Sequence, residues 1–337
     1  MARNFALYLV SPARPQHYLI WLAGGVLAVI GGFVVTLTAL AAVGRLPAPP
    51  VSGTWCIDAK LEWLRAHPEL SASQVVAVGS STTWRNINFS ALPSSIREAA
   101  GGTLNAAPCF LRMNQTRFFA NFLVERRPEI RTILSVVAPR DFEKCDEVPA
   151  AFFDRELAAS YLDGAGTASW LYFRNFRPRS LATDAYMAPQ RARELVFGRL
   201  GGGPLSSLQP QYGNPFYPDQ ACFDEIRQLA LELEARKVKL VVASFATMPG
   251  WQERFDPAGA AVAAFSKNLR QALEGTAAVF IDGATEWKVS DAAFIDPVHL
   301  QAQHAGAFTQ FIWDQATQAG AGLPPLHQGA LDGKMSN

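Results

Sequence analysis

The feature that most constrains this chain is a long uncharged segment near its N-terminus. No residue from Tyr18 to Val43 is charged, and the segment is rich in Leu, Val, Ile, Gly and Ala. About 20 apolar residues span the hydrocarbon core of a bilayer, so this segment is long enough to cross a membrane as one tilted helix. We therefore predict a transmembrane anchor over 18–43, preceded by a cytoplasmic N-terminus over 1–17.

The flanking charges indicate an orientation for this helix. Arg3 and Arg14 precede it, whereas the charged residues that follow it nearly cancel. This bias of basic residues favours a cytoplasmic N-terminus and a body outside the cytoplasm, at the inner membrane of a bacterium. A cleaved signal peptide is the first alternative, because Ala39-Leu40-Ala41 resembles a cleavage site. A buried helix of a soluble domain is the second.

The residues after the anchor predict one large domain with two short flanking segments. A Pro-rich stretch over 44–53 is typical of a short stiff spacer. The domain is predicted over 54–320, and a Gly-, Pro- and Ser-containing tail over 321–337 is predicted to be disordered. A net charge of +1 argues against a nucleic-acid partner.

Strand and helix patterns alternate through the domain, which predicts an α/β fold. Short buried strands are predicted over 74–79, 103–106, 132–137, 239–244 and 278–282, and helical stripes separate most of them. We expect a three-layer α/β/α, flavodoxin-like parallel sheet with ligands beyond the carboxyl ends of its strands. Residues 143–220 interrupt the alternation and predict an inserted cap or lid, with a separate small domain as the alternative.

Four cysteines bear on cross-linking and on metal binding. None of Cys56, Cys109, Cys145 and Cys222 belongs to a CxxC or Cys/His cluster, so we expect neither a metal nor a cofactor. An exported body with an even number of cysteines can form two disulfides. Cys109 and Cys145 each closely follow a predicted strand, which favours a bridge between them. Four free buried thiols are the alternative.

The first predicted strand ends in Val78-Gly79-Ser80-Ser81-Thr82, a turn that leads into a helix. A serine here would be exposed at the carboxyl edge of the sheet, where a helix N-terminus also presents free amide N–H groups. Such a place suits a nucleophile whose attack creates an oxyanion, and Ser81 is the residue we expect to carry it. A serine that only caps the helix is the alternative.

A second motif near the C-terminus supplies a base. Asp296-Pro297-Val298-His299 places a carboxylate three residues before an imidazole, in a loop that precedes a helix. The carboxylate can accept a hydrogen bond from the imidazole, fix its tautomer and stabilise the imidazolium that forms on proton uptake. An ordinary surface turn is the alternative. The other histidines have simpler explanations: His17 at the membrane segment, His67 in a leading helix, His304 in the last helix and His327 in the tail.

Together these motifs resemble the SGNH, or GDSL-like, hydrolase family. Gly79-Ser80-Ser81 is similar to its first block, with serine in place of the usual aspartate before the nucleophile. Asp296-Pro297-Val298-His299 is similar to its DxxH block. The resemblance covers about residues 72–318 apart from the insertion. It implies Ser81 as nucleophile, His299 as base and Asp296 as the residue that orients the base.

The middle blocks depart from that pattern. The second block normally has an asparagine and, a few residues later, a glycine N–H; here Asn105 is kept but the glycine is missing, so a backbone N–H such as that of Ala107 is expected to serve. The third block normally has Asn-Asp, and here Arg140 stands in place of the asparagine. Arg140 is either a charged donor or a structural ion-pair residue, with the second slightly favoured. Gly79 completes the expected oxyanion and substrate-binding set.

The serine-rich first block, the single anchor and the exported body are similar to one subgroup of the family. This subgroup contains the alginate O-acetylation proteins and the DltD-like proteins of teichoic acid D-alanylation. The resemblance implies an O-acyltransferase or esterase that acts on a cell-surface polysaccharide through an acyl-Ser81 intermediate, beside a membrane-bound O-acyltransferase. A plain esterase or deacetylase without a polymer partner is one alternative, and a non-catalytic scaffold is another.

Overall fold

A computed structural model of the chain describes residues 15–164, 168–207 and 209–326. The predicted cytoplasmic segment therefore lies outside the described residues up to residue 14, as do Arg3, Arg14, residues 327–337 of the predicted disordered tail and His327. The chain divides into two units, Met1–Pro47 with Pro178–Pro189, and Ala48–Arg177 with Gln190–Asn337.

Helices account for most of the regular structure. They are α1 (Pro15–Ala42), α2 (Trp55–Ala66), α3 (Ser81–Asn86), α4 (Ser94–Ala99), α5 (Met113–Arg126), α6 (Arg155–Leu162), α7 (Ala168–Arg174), α8 (Pro178–Glu194), α9 (Gln220–Ala235), α10 (Pro249–Phe255), α11 (Ala260–Leu273), α12 (Gly283–Glu286) and α13 (Ala302–Gln318). The strands are β1 (Val75–Ala77), β2 (Thr103–Asn105), β3 (Thr132–Val137), β4 (Lys239–Ser244), β5 (Val279–Ile281), β6 (Phe294–Asp296) and β7 (His299–Leu300).

The first unit contains α1, which is long and apolar enough to cross a membrane. The helix has 28 residues, so at 1.5 Å per residue it is roughly 42 Å long. Its apolar side chains are exposed over most of their surface, as Trp21 and Val29 illustrate. The span Gln16–Ala42 has a mean hydropathy of 2.2. The prediction of one apolar N-terminal helix is therefore confirmed by length and composition.

The second unit is built on a five-stranded parallel sheet in the order β2-β1-β3-β4-β5. The pairing of β3 with β4 is the longest and runs from Thr132 opposite Lys239 to Val137 opposite Ser244. The chain leaves β1 for β2 on one side and then returns to β3 on the other. The strand order therefore reverses between β1 and β3, which is where such sheets open a crevice at their carboxyl edge.

Apolar side chains cover both faces of this sheet. Alternate residues of β4 face opposite sides: Leu240 and Val242 belong to the core with α5, α9 and α11, whereas Val241 and Ala243 belong to the core with α13. Strands buried on both faces have near-continuous apolar sequences, because neither set of side chains meets water. The predicted α/β class and all five predicted strands are confirmed.

The segment predicted as an insertion, 143–220, contains α6, α7 and α8, and a long connection over 195–219 follows them. One part of it belongs to the main body, because α6 packs against α2 and buries Ala158 and Tyr161 in the α5–α9 core. Gly201, Gly202 and Gly203 allow another part to lie directly against backbone, since a Cβ at Gly201 would overlap the Asn105 carbonyl oxygen. A lid function for the segment stays a prediction.

The four cysteines form two disulfides, Cys56–Cys109 and Cys145–Cys222. The predicted bridge between Cys109 and Cys145 is wrong, and sheet order explains why. Cys109 follows β2 and Cys145 follows β3, and β1 lies between those strands. Two strand spacings separate them by roughly 10 Å, beyond the Cα–Cα distance that a disulfide spans. Each cysteine instead bridges to a helix, Cys109 to α2 and Cys145 to α9.

Candidate active site

The predicted carboxylate and imidazole meet in a short β-hairpin. β6 and β7 pair antiparallel with Asp296 opposite His299, and Pro297 and Val298 form the turn. Asp296 Oδ1 accepts the Val298 N–H at 2.9 Å, and Oδ2 lies 2.8 Å from His299 Nδ1. Because the carboxylate accepts, Nδ1 carries the proton and Nε2 is left as the basic nitrogen.

The surroundings of this pair keep the imidazole largely out of water. The His299 side chain is 18% exposed. Its Nε2 is buried and has no hydrogen-bond partner among the described residues. Burial alone would raise the pKa of Asp296, but the hydrogen bond and charge of His299 and the backbone N–H groups of Val298 and His299 outweigh it and lower that pKa. The carboxylate therefore stays ionised beside the imidazole.

The two serines at the end of β1 have different environments. Ser80 is buried and caps α3, because its hydroxyl oxygen accepts the Thr82 N–H at 3.1 Å. The same hydroxyl donates to Asp141 Oδ1 at 2.6 Å. Ser81 begins α3 and is half-buried, and its hydroxyl has no hydrogen-bond partner in the part of the chain that the structure describes. Ser81 is therefore the serine that remains open to a substrate.

One side chain ties the helix of Ser81 to the hairpin of His299. α3 ends at Asn86, whose Nδ2 donates to the Val298 carbonyl at 2.8 Å and whose Oδ1 accepts the Leu300 N–H at 2.8 Å. These two peptide groups lie on either side of His299, so a single amide fixes the hairpin against α3. The Ser81 hydroxyl and His299 Nε2 do not hydrogen-bond to each other, and each is left open. Sequence reasoning missed Asn86, because its partners are more than 200 residues away.

Gly79 provides room for packing at the end of β1. A Cβ at this position would overlap Thr83 Oγ1. That oxygen donates to the Val136 carbonyl at 2.8 Å and accepts the Val136 N–H at 3.1 Å, so Thr83 joins α3 to β3 through the gap that Gly79 leaves. Packing against Thr83 therefore explains why a glycine is needed at position 79, without a contact to a ligand.

Two of the predicted oxyanion groups are already used within the protein. Asn105 is fully buried, and its Nδ2 donates to the Ile87 and Trp84 carbonyls at 2.9 and 3.2 Å. Its Oδ1 accepts the Ala107 N–H at 3.2 Å. Neither Asn105 nor Ala107 has a donor left for an oxyanion, so this part of the prediction is wrong. Asn105 instead holds the C-terminal end of α3 against the loop after β2.

A different residue of that loop has the backbone that the missing glycine would supply. Phe110, five residues after Asn105, has a φ of 58°, a left-handed conformation that glycine adopts readily and phenylalanine rarely. Its N–H has no acceptor among the described residues, and neither does the N–H of Ser81. These two amides are free donors on the loops that follow β2 and β1. Sequence reasoning overlooked Phe110 because a glycine is the usual sign of this conformation.

Arg140 lies at the carboxyl end of β3, directly before the aspartate that Ser80 binds. Its side chain is exposed and forms no ion pair with any described residue, so the slightly favoured structural ion-pair role is wrong. The guanidinium instead borders a cavity of about 530 Å³ whose other wall is the segment 214–219. Gly213, the residue before that wall, packs against Pro297 of the hairpin, since a Cβ there would lie 3.5 Å from the proline ring.

Comparison with known proteins adds no relative to this picture. No protein-family model matches the chain, and no curated protein matches it at a significant level.

Proposed function

We propose that this chain is a serine acyl-ester enzyme in which Ser81 is the nucleophile, His299 the general base and Asp296 the residue that orients the base. The observation that carries the proposal is the state of His299. Its Nδ1 is held by an ionised carboxylate, and its Nε2 is buried without a partner on a hairpin that Asn86 fixes to the helix of Ser81. A buried imidazole nitrogen left unpaired lowers the stability of the fold. Its presence therefore needs an explanation, and a role in catalysis supplies one.

The reaction proceeds in two steps. His299 Nε2 takes the proton of the Ser81 hydroxyl while Oγ attacks an acyl carbonyl, and the imidazolium then gives that proton to the departing alcohol. In the second step an acceptor hydroxyl gives its proton to Nε2 and attacks the acyl-serine; the bond from the acyl carbon to Ser81 Oγ breaks, and the imidazolium returns the proton to Oγ, which restores Ser81 and a neutral imidazole. In this proposal the N–H groups of Ser81 and Phe110, which are free within the described part of the chain, donate to the oxyanion in both steps.

Fold and motifs support the family assignment within this proposal. The strand order β2-β1-β3-β4-β5 is that of flavodoxin-like sheets, and Ser81 follows β1 at the point where the order reverses. The Gly79-Ser80-Ser81 and Asp296-to-His299 motifs, each at the position expected for an SGNH hydrolase, support the same assignment. Phe110 supplies the backbone conformation whose glycine the sequence lacks.

Two further observations support membrane anchoring and export. α1 has the length and composition of a single span. The two disulfides favour an oxidising compartment outside the cytoplasm, which is the periplasm in a bacterium. An anchored enzyme there meets the polysaccharides of the cell envelope, so we propose such a polymer as acyl acceptor and a membrane-bound O-acyltransferase as the partner that supplies acyl groups.

Labelling with a serine-reactive fluorophosphonate tests the chemistry on the full-length protein in detergent. We expect mass spectrometry to locate one label on Ser81 and to find none in Ser81→Ala or His299→Ala. Ser90→Ala and His304→Ala are matched controls, because Ser90 is exposed, His304 is half-buried, and both lie outside the candidate site. Equal labelling of His299→Ala and the unmodified protein would overturn the role of His299.

The fate of the acyl group distinguishes transfer from hydrolysis. With an activated acetyl ester, a transferase releases acetate slowly and acetylates an added polysaccharide, whereas a plain esterase releases acetate at the same rate with or without the polymer. A non-catalytic scaffold would give a different pair of results. The folded, unmodified protein would not be labelled, and Ser81→Ala would fully complement a deletion strain.

A further inference from the structure

The cavity beside Arg140 is lined by two segments that connect to the two halves of the candidate site. Arg140 precedes Asp141, which accepts a hydrogen bond from Ser80, the neighbour of Ser81. On the other side, the chain reaches the cavity wall directly after passing the hairpin: the Gln211 N–H donates to the Ile295 carbonyl at 2.8 Å, and Gly213 packs against Pro297. A molecule in this cavity would therefore lie beside segments that contact the elements of Ser81 and His299, although neither of these residues lines the cavity.

The walls of the cavity are fixed by contacts that need no ligand. Trp251 Nε1 donates to the Asn214 carbonyl at 3.0 Å, and the Trp251 ring stacks on Phe216 with centroids 4.9 Å apart. The facing wall is joined to α9 by the Cys145–Cys222 disulfide and to the first wall by the Cys145 N–H, which donates to Asp219 Oδ2 at 3.3 Å. A rigid site loses little conformational entropy when a ligand binds.

The charges of the cavity argue against an anionic ligand. Four carboxylates and two cations line it. Glu143 accepts the Tyr217 N–H and lies 3.9 Å from Arg112, Glu147 pairs with Lys144, and Asp219 caps α9.

The two remaining charged side chains are Arg140 and Asp146, which have no ion-pair partner among the described residues. They have opposite signs, so together they offer hydrogen-bond donors and acceptors without attracting net charge.

The cavity also presents one aromatic ring to solvent. Tyr217 is 75% exposed although the Glu143 carboxylate holds its backbone. An exposed ring beside a free guanidinium and a free carboxylate suits a ligand with an apolar face and hydroxyl groups at its edge. A sugar ring has both, because its C–H groups stack on the aromatic ring while its hydroxyls donate to carboxylates and accept from guanidinium.

We propose that this cavity is the acceptor subsite of the enzyme and that it binds a sugar chain without carboxylate or phosphate groups. Tyr217 stacks on a sugar ring, and Arg140 and Asp146 hydrogen-bond to its hydroxyls. The subsite deepens the proposed function, since its role as acceptor site rests on acyl transfer from Ser81. Its affinity for the sugar does not depend on that reaction.

Calorimetry on full-length Ser81→Ala in detergent tests this subsite without turnover. The probes are uncharged hexasaccharides of gluco, manno and xylo configuration, and the gluco probe oxidised to a carboxylate at every C6. We expect at least one uncharged probe to bind, and the oxidised probe to bind at least about tenfold more weakly at low salt, with a smaller gap at high salt. Binding of none of the uncharged probes, or tighter binding of the oxidised one, would overturn the proposal.

Further substitutions in the Ser81→Ala background locate the binding site. Tyr217→Ala should weaken binding of the uncharged probe about five- to tenfold. The matched control is Tyr186→Ala, because Tyr186 is 76% exposed and lies outside the cavity. Equal effects of the two substitutions would overturn the role of Tyr217. If the sugar binds but Ser81 of the unmodified protein does not react with the fluorophosphonate, only the proposed enzymatic function is refuted. If Ser81 reacts but no sugar binds, only the proposed subsite is refuted.

Discussion

Two aspartates lie in segments that hydrogen-bond to opposite ends of α3, and they differ in what their own hydrogen bonds leave free. Asp141 is buried and accepts from the Ser80 hydroxyl and the Ala138 N–H, so both of its oxygens and its serine are used. Asp296 accepts from Val298 and from His299, and the far nitrogen of that imidazole has no partner among the described residues. We call the Asp141–Ser80 pair closed, because both carboxylate oxygens and the serine hydroxyl are already hydrogen-bonded, and the Asp296–His299 pair open, because Nε2 is unpaired within the described chain.

The pKa values of the two carboxyls reflect the same difference. Burial raises the pKa of Asp141 above its usual range against the hydrogen bonds of Ser80, Ala138 and Thr82. The pKa of Asp296 is lowered, because the imidazole and backbone N–H groups outweigh its burial. A closed pair can only hold the fold together, whereas an open pair can move a proton. We therefore propose a structural role for Asp141 and a role in chemistry for Asp296.

Removal of the open imidazole should have the largest effect. We expect His299→Ala to slow fluorophosphonate labelling of Ser81 about 10²–10⁴-fold, because no other base is placed to take the hydroxyl proton. The melting temperature should fall by only about 2–6 °C, through loss of the hydrogen bond from Nδ1 to Asp296. His304→Ala is the control and should label like the unmodified protein. A large loss of melting temperature without loss of labelling would reverse the assignment.

Loss of the carboxylate charge at Asp296 should have the next largest effect. Asp296→Asn leaves the hairpin in place but replaces an acceptor at Nδ1 by an amide, which favours the wrong tautomer and withdraws the charge that stabilises imidazolium. We expect the labelling rate to fall about 100-fold or more at neutral pH. Stopped labelling reactions read by mass spectrometry give the rate. A rate within a factor of two of the unmodified protein would show that Asp296 does not orient the base.

Sequence patterns were sufficient for the sheet, and physical reasons explain this. Strands such as Thr132–Val137 and Lys239–Ser244 are buried on both faces, so apolar runs of strand length mark them directly. The Asp296–His299 contact was equally accessible, because three residues of sequence separate its partners. Local patterns therefore identified both the sheet and the hairpin that holds the base.

Features that depend on distant contacts were not predictable in this way. The Asn86 amide meets peptide groups more than 200 residues away, and no local pattern marks it. Phe110 adopts a glycine-like φ that its side chain disfavours. The disulfide error has the same origin, since the spatial order of β2, β1 and β3 decides which cysteines can meet. The sequence alone does not distinguish a hydrogen-bond donor that is already paired within the protein from one that is free.

Disruption of the closed pair should lower stability more than chemistry. Asp141→Ala leaves the buried Ser80 hydroxyl and Ala138 N–H without their acceptor, which we expect to lower the free energy of unfolding by about 1–3 kcal/mol. Urea denaturation measures this change. Asp146→Ala, at an exposed aspartate on the same connection, should change it by less than about 0.5 kcal/mol. Equal effects would show that the Asp141 hydrogen bonds do not stabilise the start of α3.

The smallest expected effect is on the pH dependence of the free energy of unfolding, to which the two carboxyls should contribute in opposite directions. Asp296 has a lowered folded-state pKa, so its contribution is present above the unfolded-state pKa and is lost as pH falls through the folded-state pKa. Asp141 has a raised pKa, so its protonated form favours folding at low pH, and that contribution is lost as pH rises through the raised pKa.

Denaturation curves of Asp296→Asn, Asp141→Asn and the unmodified protein, measured from acid to neutral pH, separate these contributions. The stability lost in Asp296→Asn should grow as pH rises from acid, whereas the stability lost in Asp141→Asn should shrink. Two differences of the same sign would contradict the assignment of one closed and one open carboxylate. Such a result would mean that the two carboxylates contribute to stability in the same way. The distinction between a structural Asp141 and a catalytic Asp296 would then fail.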